Sequence, residues 1–137
     1  TKSQIILTPH PKEFERISNM SIDEIKQNPV KVAEDFAKKY NLILLLKGHE
    51  TVVTDGSETY TVKKGGAGMA TAGSGDVLSG IIVGMLGSNK PSSRLIATCA
   101  YIAGLAGEIA EEKYTDISMK ASDTIESIPE AIKEIRN

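Results

Sequence analysis

Five consecutive aliphatic residues, Leu42-Ile43-Leu44-Leu45-Leu46, constrain what this chain can fold into more than any other feature. The run has strand length and no polar alternation, the pattern of a strand buried on both faces. A helical pattern precedes it: Pro29 opens a stretch with Val30, Val32, Ala33, Phe36 and Ala37 at helical spacing. A helix feeding a doubly buried strand is α/β architecture. Thr51-Val52-Val53-Thr54 and Thr59-Tyr60-Thr61-Val62 then read as a hairpin, with Asp55-Gly56 as its turn signal. Upstream, Gln4-Ile5-Ile6-Leu7-Thr8 reads as a short buried strand that Pro9-His10-Pro11 ends. Pro11 suits the first helical position and Glu13 the third, opening a helix through Phe14 and Ile17. Ser21 caps a further short helix containing Ile22 and Ile25.

The hairpin is followed by Gly65-Gly66-Ala67-Gly68-Met69-Ala70-Thr71-Ala72-Gly73-Ser74-Gly75-Asp76, a run of small residues ending in one carboxylate. Residues 75–87 carry a helical stripe of Val77, Leu78, Ile81, Ile82 and Met85. Gly80 and Gly84 weaken that helix, so the expectation is that another element approaches closely there. Pro91 and Ser92 introduce a long helix to about residue 113, with Leu95, Ile96, Cys99, Ile102, Ala103, Ala106 and Ile109 on its apolar face. Two shorter helical segments, separated by Pro129, finish the chain. No repeat or linker divides residues 1–137, which read as one domain.

Charge and composition exclude several classes of function. With a net charge of −2, the chain lacks the basic footprint of a nucleic-acid binder. Only 4% of residues are aromatic, too few for a base-stacking platform. No apolar run approaches the roughly 18 residues needed to cross a bilayer. The single cysteine, Cys99, lies in an apolar stretch and reads as a buried thiol in a reducing compartment. The start lacks an apolar leader, and a cytoplasmic protein is expected.

A glycine loop running into a helix start makes an anion site, because backbone N–H groups converge there and the helix dipole favours negative charge. The loop is not a P-loop, since no Gly-Lys-Ser/Thr follows. It is not the dinucleotide fingerprint either, since Gly73-Ser74-Gly75 has no glycine three residues on. Alone, it also reads as a tight strand-to-helix connection, and Asp76 as a cap. Together, the amides of Gly73, Ser74 and Gly75 and the Asp76 carboxylate suggest a base beside a bound phosphoryl group, the positioning and electrostatics that phosphoryl transfer needs. Lys47-Gly48-His49-Glu50-Thr51 follows the buried strand, at the end where ligands gather in open α/β sheets. Lys47 and Thr51 could contact phosphate or ribose; alone, Lys47 is a solubilising charge. His10 ends the first strand. His10 and His49 have no patterned partners that would make a metal pair.

Three motifs in this order resemble one family: Leu7-Thr8-Pro9-His10-Pro11-Lys12-Glu13, Leu46-Lys47-Gly48, and Gly68 through Ile81. The chain is similar to the C-terminal part of the ADP/ATP-dependent NAD(P)H-hydrate dehydratases, of the ribokinase-like superfamily. The resemblance implies a three-layer α/β/α ribokinase-like fold, of which this chain would be the C-terminal half. It implies an enzyme that removes the hydroxyl from hydrated NADH or NADPH at the expense of ADP or ATP, with Mg²⁺ accompanying the nucleotide. By the same resemblance Asp76 is the base and contacts the hydrate, and His10 lines the hydrate site. Lys47, Gly48, His49, Glu50 and Thr51 meet the nucleotide, with Gly73, Ser74 and Gly75 at its phosphates. The sequence departs from the pattern at Lys12, where the family has glycine, at Gly66-Ala67, where it has Asn-Pro, and at Ala72, where it has glycine. None of these touches Asp76 or the Gly73-Ser74-Gly75 turn.

The expected partners are the hydrate and a nucleotide. A homo-oligomer, or completion by an N-terminal half, is expected to cover the apolar surface that a half-domain leaves open. Two other readings use the same residues. A small-molecule kinase of this superfamily would share Asp76 and the loop but stop at phosphate transfer. A nucleotide-binding module would keep the loop without turnover.

Overall fold

In a computed structural model, residues 3–65 and 73–136 are described. The strand–helix order expected above is present. β1 (Ile6–Leu7) is followed by α1 (Pro11–Ser18), α2 (Ile22–Gln27) and α3 (Pro29–Tyr40). Then come β2 (Ile43–Leu46), β3 (Thr51–Thr54) and β4 (Thr59–Val62). Three helices complete the described chain: α4 (Ser74–Leu86), α5 (Ser93–Ser118) and α6 (Ala121–Arg136). The chain divides into two compact units, one of Thr1–Val62 with Lys90–Ala97 and one of Lys63–Asn89 with Thr98–Asn137.

The first unit is built on a four-stranded mixed sheet in the order β1-β2-β3-β4. β1 and β2 are parallel, pairing Ile6 with Ile43 and Leu7 with Leu44. β2, β3 and β4 form an antiparallel meander. All four β2 residues are buried, as the uninterrupted aliphatic run requires. Phe14, Ile25, Ala33 and Ala37 from the three helices pack with Leu42, Leu44, Leu46 and Val52 in one core. Pro29 and the Asn28 cap start α3, and Ser21 Oγ caps α2 through the Glu24 amide at 3.2 Å. In the hairpin turn Asp55 Oδ1 accepts the amides of Ser57 and Glu58, both at 2.8 Å.

β1 departs from expectation. Its residues are half-buried and Ile5 is 53% exposed, because β1 lies at the sheet edge with β2 as its neighbour on one side.

In the second unit, Leu105 and Ala106 of α5 pack with Ala131 of α6, flanked by Ile109 and Ile128. Two expectations are corrected here. Gly80 and Gly84 were expected to admit a close neighbour, yet a Cβ at either position would meet none of the described residues within 4 Å. They lie on the open side of α4 with Val83, which is 70% exposed. Pro129 does not separate two helices; it lies inside α6. The carbonyl it leaves without an N–H donor is that of Ile125, a residue that is 53% exposed. The long helix expected to about residue 113 is present: α5 is regular up to Thr115 (φ 69°, ψ 159°), where its helical path breaks. Ser118 Oγ donates to the Tyr114 carbonyl across the break.

Candidate functional site

Two of the three sequence motifs meet in the first unit. Parallel pairing brings the ends of β1 and β2 to the same edge of the sheet, where the Lys47 amide donates to the Pro9 carbonyl at 3.0 Å. His10 follows directly and caps α1. Its Nδ1 accepts the Glu13 amide at 3.2 Å, and its own amide donates to Glu13 Oε2 at 3.0 Å. This reciprocal arrangement is a capping box with histidine in the usual Ser/Thr place. The sequence placed Pro11 and Glu13 correctly but did not identify His10 as the cap.

Lys47, Gly48, His49 and Glu50 form the connection from β2 to β3, and Thr51 is the first residue of β3. Lys47 is half-buried, whereas His49 and Glu50 are exposed. The connection lines an apolar cavity of about 330 Å³ whose other walls include Pro11, Ile25, Val30 and Leu46. That is within the size range of small-molecule sites, which typically join apolar walls to a few polar groups. Lys26 of α2 adds a second ammonium to the lining.

Gly73, Ser74, Gly75 and Asp76 lie in the second unit; residues 66–72 of the glycine run lie outside the described residues. Gly73 is the N-cap of α4 with φ 93°, a left-handed conformation that glycine takes at little cost. Its carbonyl accepts the amides of Asp76 and Val77, both at 3.1 Å. Asp76 is therefore the third residue of α4, in the first turn, where a carboxylate suits the helix dipole. Among the described residues no side chain caps this helix start, so Asp76 is not spent as a cap. The carboxylate is exposed and has no hydrogen bond or ion pair among the described residues.

Asp76 stands on an open groove of about 570 Å³, lined by Gly73, Ile81 and, from α6, Ala121, Ile125 and Ile128. The Ala121 Cβ lies 3.3 Å from where a Gly73 side chain would begin. The sequence reading did not assign α6 to the surroundings of Asp76. The signal available was the apolar series at 121, 125 and 128, which has helical spacing.

Cys99 is fully buried, and burial pushes its thiol up to about 11, away from the thiolate a nucleophile needs. Among the described residues, no group of three His, Cys, Asp or Glu side chains could hold a metal ion. Among the same residues, no helix is long and apolar enough to cross a membrane.

A family model described as NAD(P)H-hydrate dehydratase matches residues 1–130. The chain is similar to a bifunctional NAD(P)H-hydrate repair enzyme of Moorella thermoacetica, at 36% identity over 96% of this chain and 25% of that protein. It is also similar to an ADP-dependent (S)-NAD(P)H-hydrate dehydratase of Nitrosopumilus maritimus, at 33% identity over 94% of this chain and 45% of that one. In structure it resembles an ADP/ATP-dependent NAD(P)H-hydrate dehydratase of Bacillus subtilis, co-crystallised with ATP and Mg²⁺ and soaked with CoA. That match has a TM-score of 0.89 at 26% identity, covering 96% of this chain and 49% of the other. The fold is α/β and ribokinase-like, and the chain spans a quarter to a half of the length of these relatives.

Proposed function

The chain belongs to the NAD(P)H-hydrate dehydratase family, and from that premise we propose that it forms part of a nucleotide-dependent enzyme that returns hydrated NADH or NADPH to the reduced cofactor. The observation that carries this reading is Asp76. Among the described residues its carboxylate has no partner, and it stands in the first turn of α4, directly behind a left-handed glycine at the helix start. A helix start of this kind attracts phosphate, and a free carboxylate beside phosphate serves proton removal better than phosphate binding.

In this reading Asp76 contacts the hydrate and takes the proton from its C6 hydroxyl. The oxygen attacks the terminal phosphoryl of ADP or ATP, and the bond from that phosphorus to its bridging oxygen breaks. Phosphate then leaves C6 as a proton leaves C5, which restores the ring double bond. The amides of Gly73, Ser74 and Gly75 hold the transferring phosphoryl group. Lys47, Gly48, His49, Glu50 and Thr51 bind the nucleotide, and His10 lines the hydrate site. With no protein cage of three carboxylate or imidazole ligands among the described residues, Mg²⁺ would be held chiefly by nucleotide phosphates, a common mode for this ion. Bound there, it neutralises phosphate charge.

The reaction is assigned to the cytoplasm, where Cys99 stays a thiol. A homo-oligomer, or the half of the domain that the longer relatives contain, is expected to complete the protein; the open Val83 face of α4 supports this. The test is incubation of the complete protein with hydrated NADH and either ADP or ATP. Recovery of the near-ultraviolet absorbance of reduced nicotinamide is expected. Consumption of nucleotide on a small alcohol, with no recovery on the hydrate, would instead identify a kinase. Nucleotide binding without turnover would identify a binding module.

A further inference from the structure

Beyond the capping box, a third contact joins His10 to Glu13: the ring Nε2 lies 3.0 Å from Glu13 Oε1. Nδ1 is already occupied by the Glu13 amide, so both ring nitrogens face one residue. The donors around the ring fix its proton. A nitrogen that accepts an N–H carries no hydrogen, so the hydrogen of the neutral ring lies on Nε2, toward the carboxylate. A second proton, on Nδ1, would set two donors against each other. The backbone is equally constrained. Pro9 and Pro11 flank His10, which is extended at φ −79° and ψ 167°, as a residue before proline prefers. Its carbonyl accepts the Phe14 amide at 2.9 Å, and the Pro9 carbonyl before it takes the Lys47 amide.

Helix capping does not account for the third contact. A cap needs one acceptor for the amide two to three residues on, which serine supplies with a single oxygen. The Nε2 contact serves none of the orphan amides of α1. Nor is it a source of stability, since the two side chains are 50% and 51% exposed and pairs that open to solvent contribute little. What it does is orient. Two contacts to one residue hold a rigid ring in a single plane. With both nitrogens turned to Glu13, a ligand is left the faces of the ring and its Cδ2 edge.

We propose that Glu13 is a positioning residue for the hydrate: it holds His10 as a neutral Nε2–H ring that meets the ligand by its face and takes no part in proton transfer. The proposal rests on the reading above that His10 lines the hydrate site. A ring already held in place offers flat contact to the hydrated nicotinamide ring without being ordered on binding. Proton removal is left to Asp76.

The test compares the complete wild-type protein with Glu13→Ala, Glu13→Gln, His10→Asn and the double variant His10→Asn/Glu13→Ala. In wild type, nitrogen NMR is expected to show Nε2 protonated, Nδ1 bare and a coupling between Nδ1 and the Glu13 amide across their hydrogen bond. A proton on Nδ1 at neutral pH, alone or beside one on Nε2, overturns the proposal. Glu13→Ala is expected to raise the KM for hydrate roughly three- to tenfold, with kcat and ADP affinity near wild type. Glu13→Gln keeps one acceptor oxygen and should recover part of that loss. The double variant should match His10→Asn, because Glu13 acts only through the ring. Additive losses, or a wild-type KM for Glu13→Ala, overturn the proposal. So does a wild-type KM for His10→Asn, although recovery of NADH by the wild type would leave the proposed reaction standing. A wild type that returns no NADH from the hydrate removes that reaction, and this proposal with it.

Discussion

His10 and Glu13 satisfy each other at both ends of the first turn of α1. Each backbone amide donates to the other's side chain, at 3.0 and 3.2 Å, and the His10 Nε2 lies 3.0 Å from Glu13 Oε1. One residue thus has a structural duty, already visible, and a proposed duty toward the hydrate.

The two duties separate by substitution. His10→Ala removes the cap and is expected to cost about 1 kcal/mol in urea denaturation. His10→Asn keeps a capping oxygen and should unfold like wild type. If His10 also meets the hydrate, both variants raise the KM for hydrate in the complete enzyme. A wild-type KM for the Asn variant would leave His10 as a cap alone.

Asp76→Asn is nearly isosteric and disturbs no hydrogen bond among the described residues. Turnover of the hydrate is expected to fall by roughly 10²–10⁴-fold, the usual contribution of a general base, with ADP affinity close to wild type. Full-rate turnover by this variant would eliminate Asp76 as the base.

Gly56 closes the hairpin turn at φ 94°, and a Cβ on it would lie 2.8 Å from Lys38 Cβ and 3.0 Å from Lys38 backbone atoms. Both the backbone conformation and the packing reject a side chain. Gly56→Ala is expected to lose about 1–3 kcal/mol, read as a lower melting temperature by circular dichroism. An unchanged melting temperature would mean that α3 yields at Lys38.

Cys99 ties stability to alkaline pH. Burial raises the folded thiol from 9.0 to about 11, so the unfolded chain ionises first. Below pH 9 both states keep the proton and the contribution is full. Between pH 9 and 11 it is lost as pH rises, on the order of 2 kcal/mol by the upper end. The stability of wild type relative to Cys99→Ala should stay level to about pH 9 and then decline. A difference that is flat through pH 11 would contradict this. Thiol reagents at neutral pH should modify Cys99 only in the unfolded chain.

Much of this fold is legible locally. Leu42–Leu46 declares a buried strand, Asp55-Gly56 a turn, and Pro29 and Ser21 helix starts; each signal is short-range and each element is present. What sequence could not supply was the neighbourhood. The apolar letters of Ile5 do not say that β1 sits at an edge. The spacing of Gly80 and Gly84 suggests a close neighbour that the described residues do not contain. Pro129 reads as a helix breaker, yet α6 carries it in its interior, with Ile125 one turn earlier exposed. Lys47 and Asp76 stand out as candidates in the sequence because their motifs are contiguous. The capping role of His10, the α6 wall beside Asp76 and the grip of Glu13 on the His10 ring all depend on geometry that a linear reading does not carry.

The pairing of β1 with β2 has a kinetic consequence. β2, β3 and β4 are successive in the chain, and their hairpins close quickly. Ile6 reaches Ile43 only after three helices have intervened, and such distant closures form late. Val53→Ala, in the meander, is therefore expected to slow refolding in stopped-flow experiments. Ile6→Ala should chiefly accelerate unfolding, and the reverse pattern would refute this order of assembly. The bond that brings Lys47 to Pro9 would then be among the last in the sheet to form. Any partly folded chain would already possess its hairpin but still lack the junction of the motifs that carry His10 and Lys47.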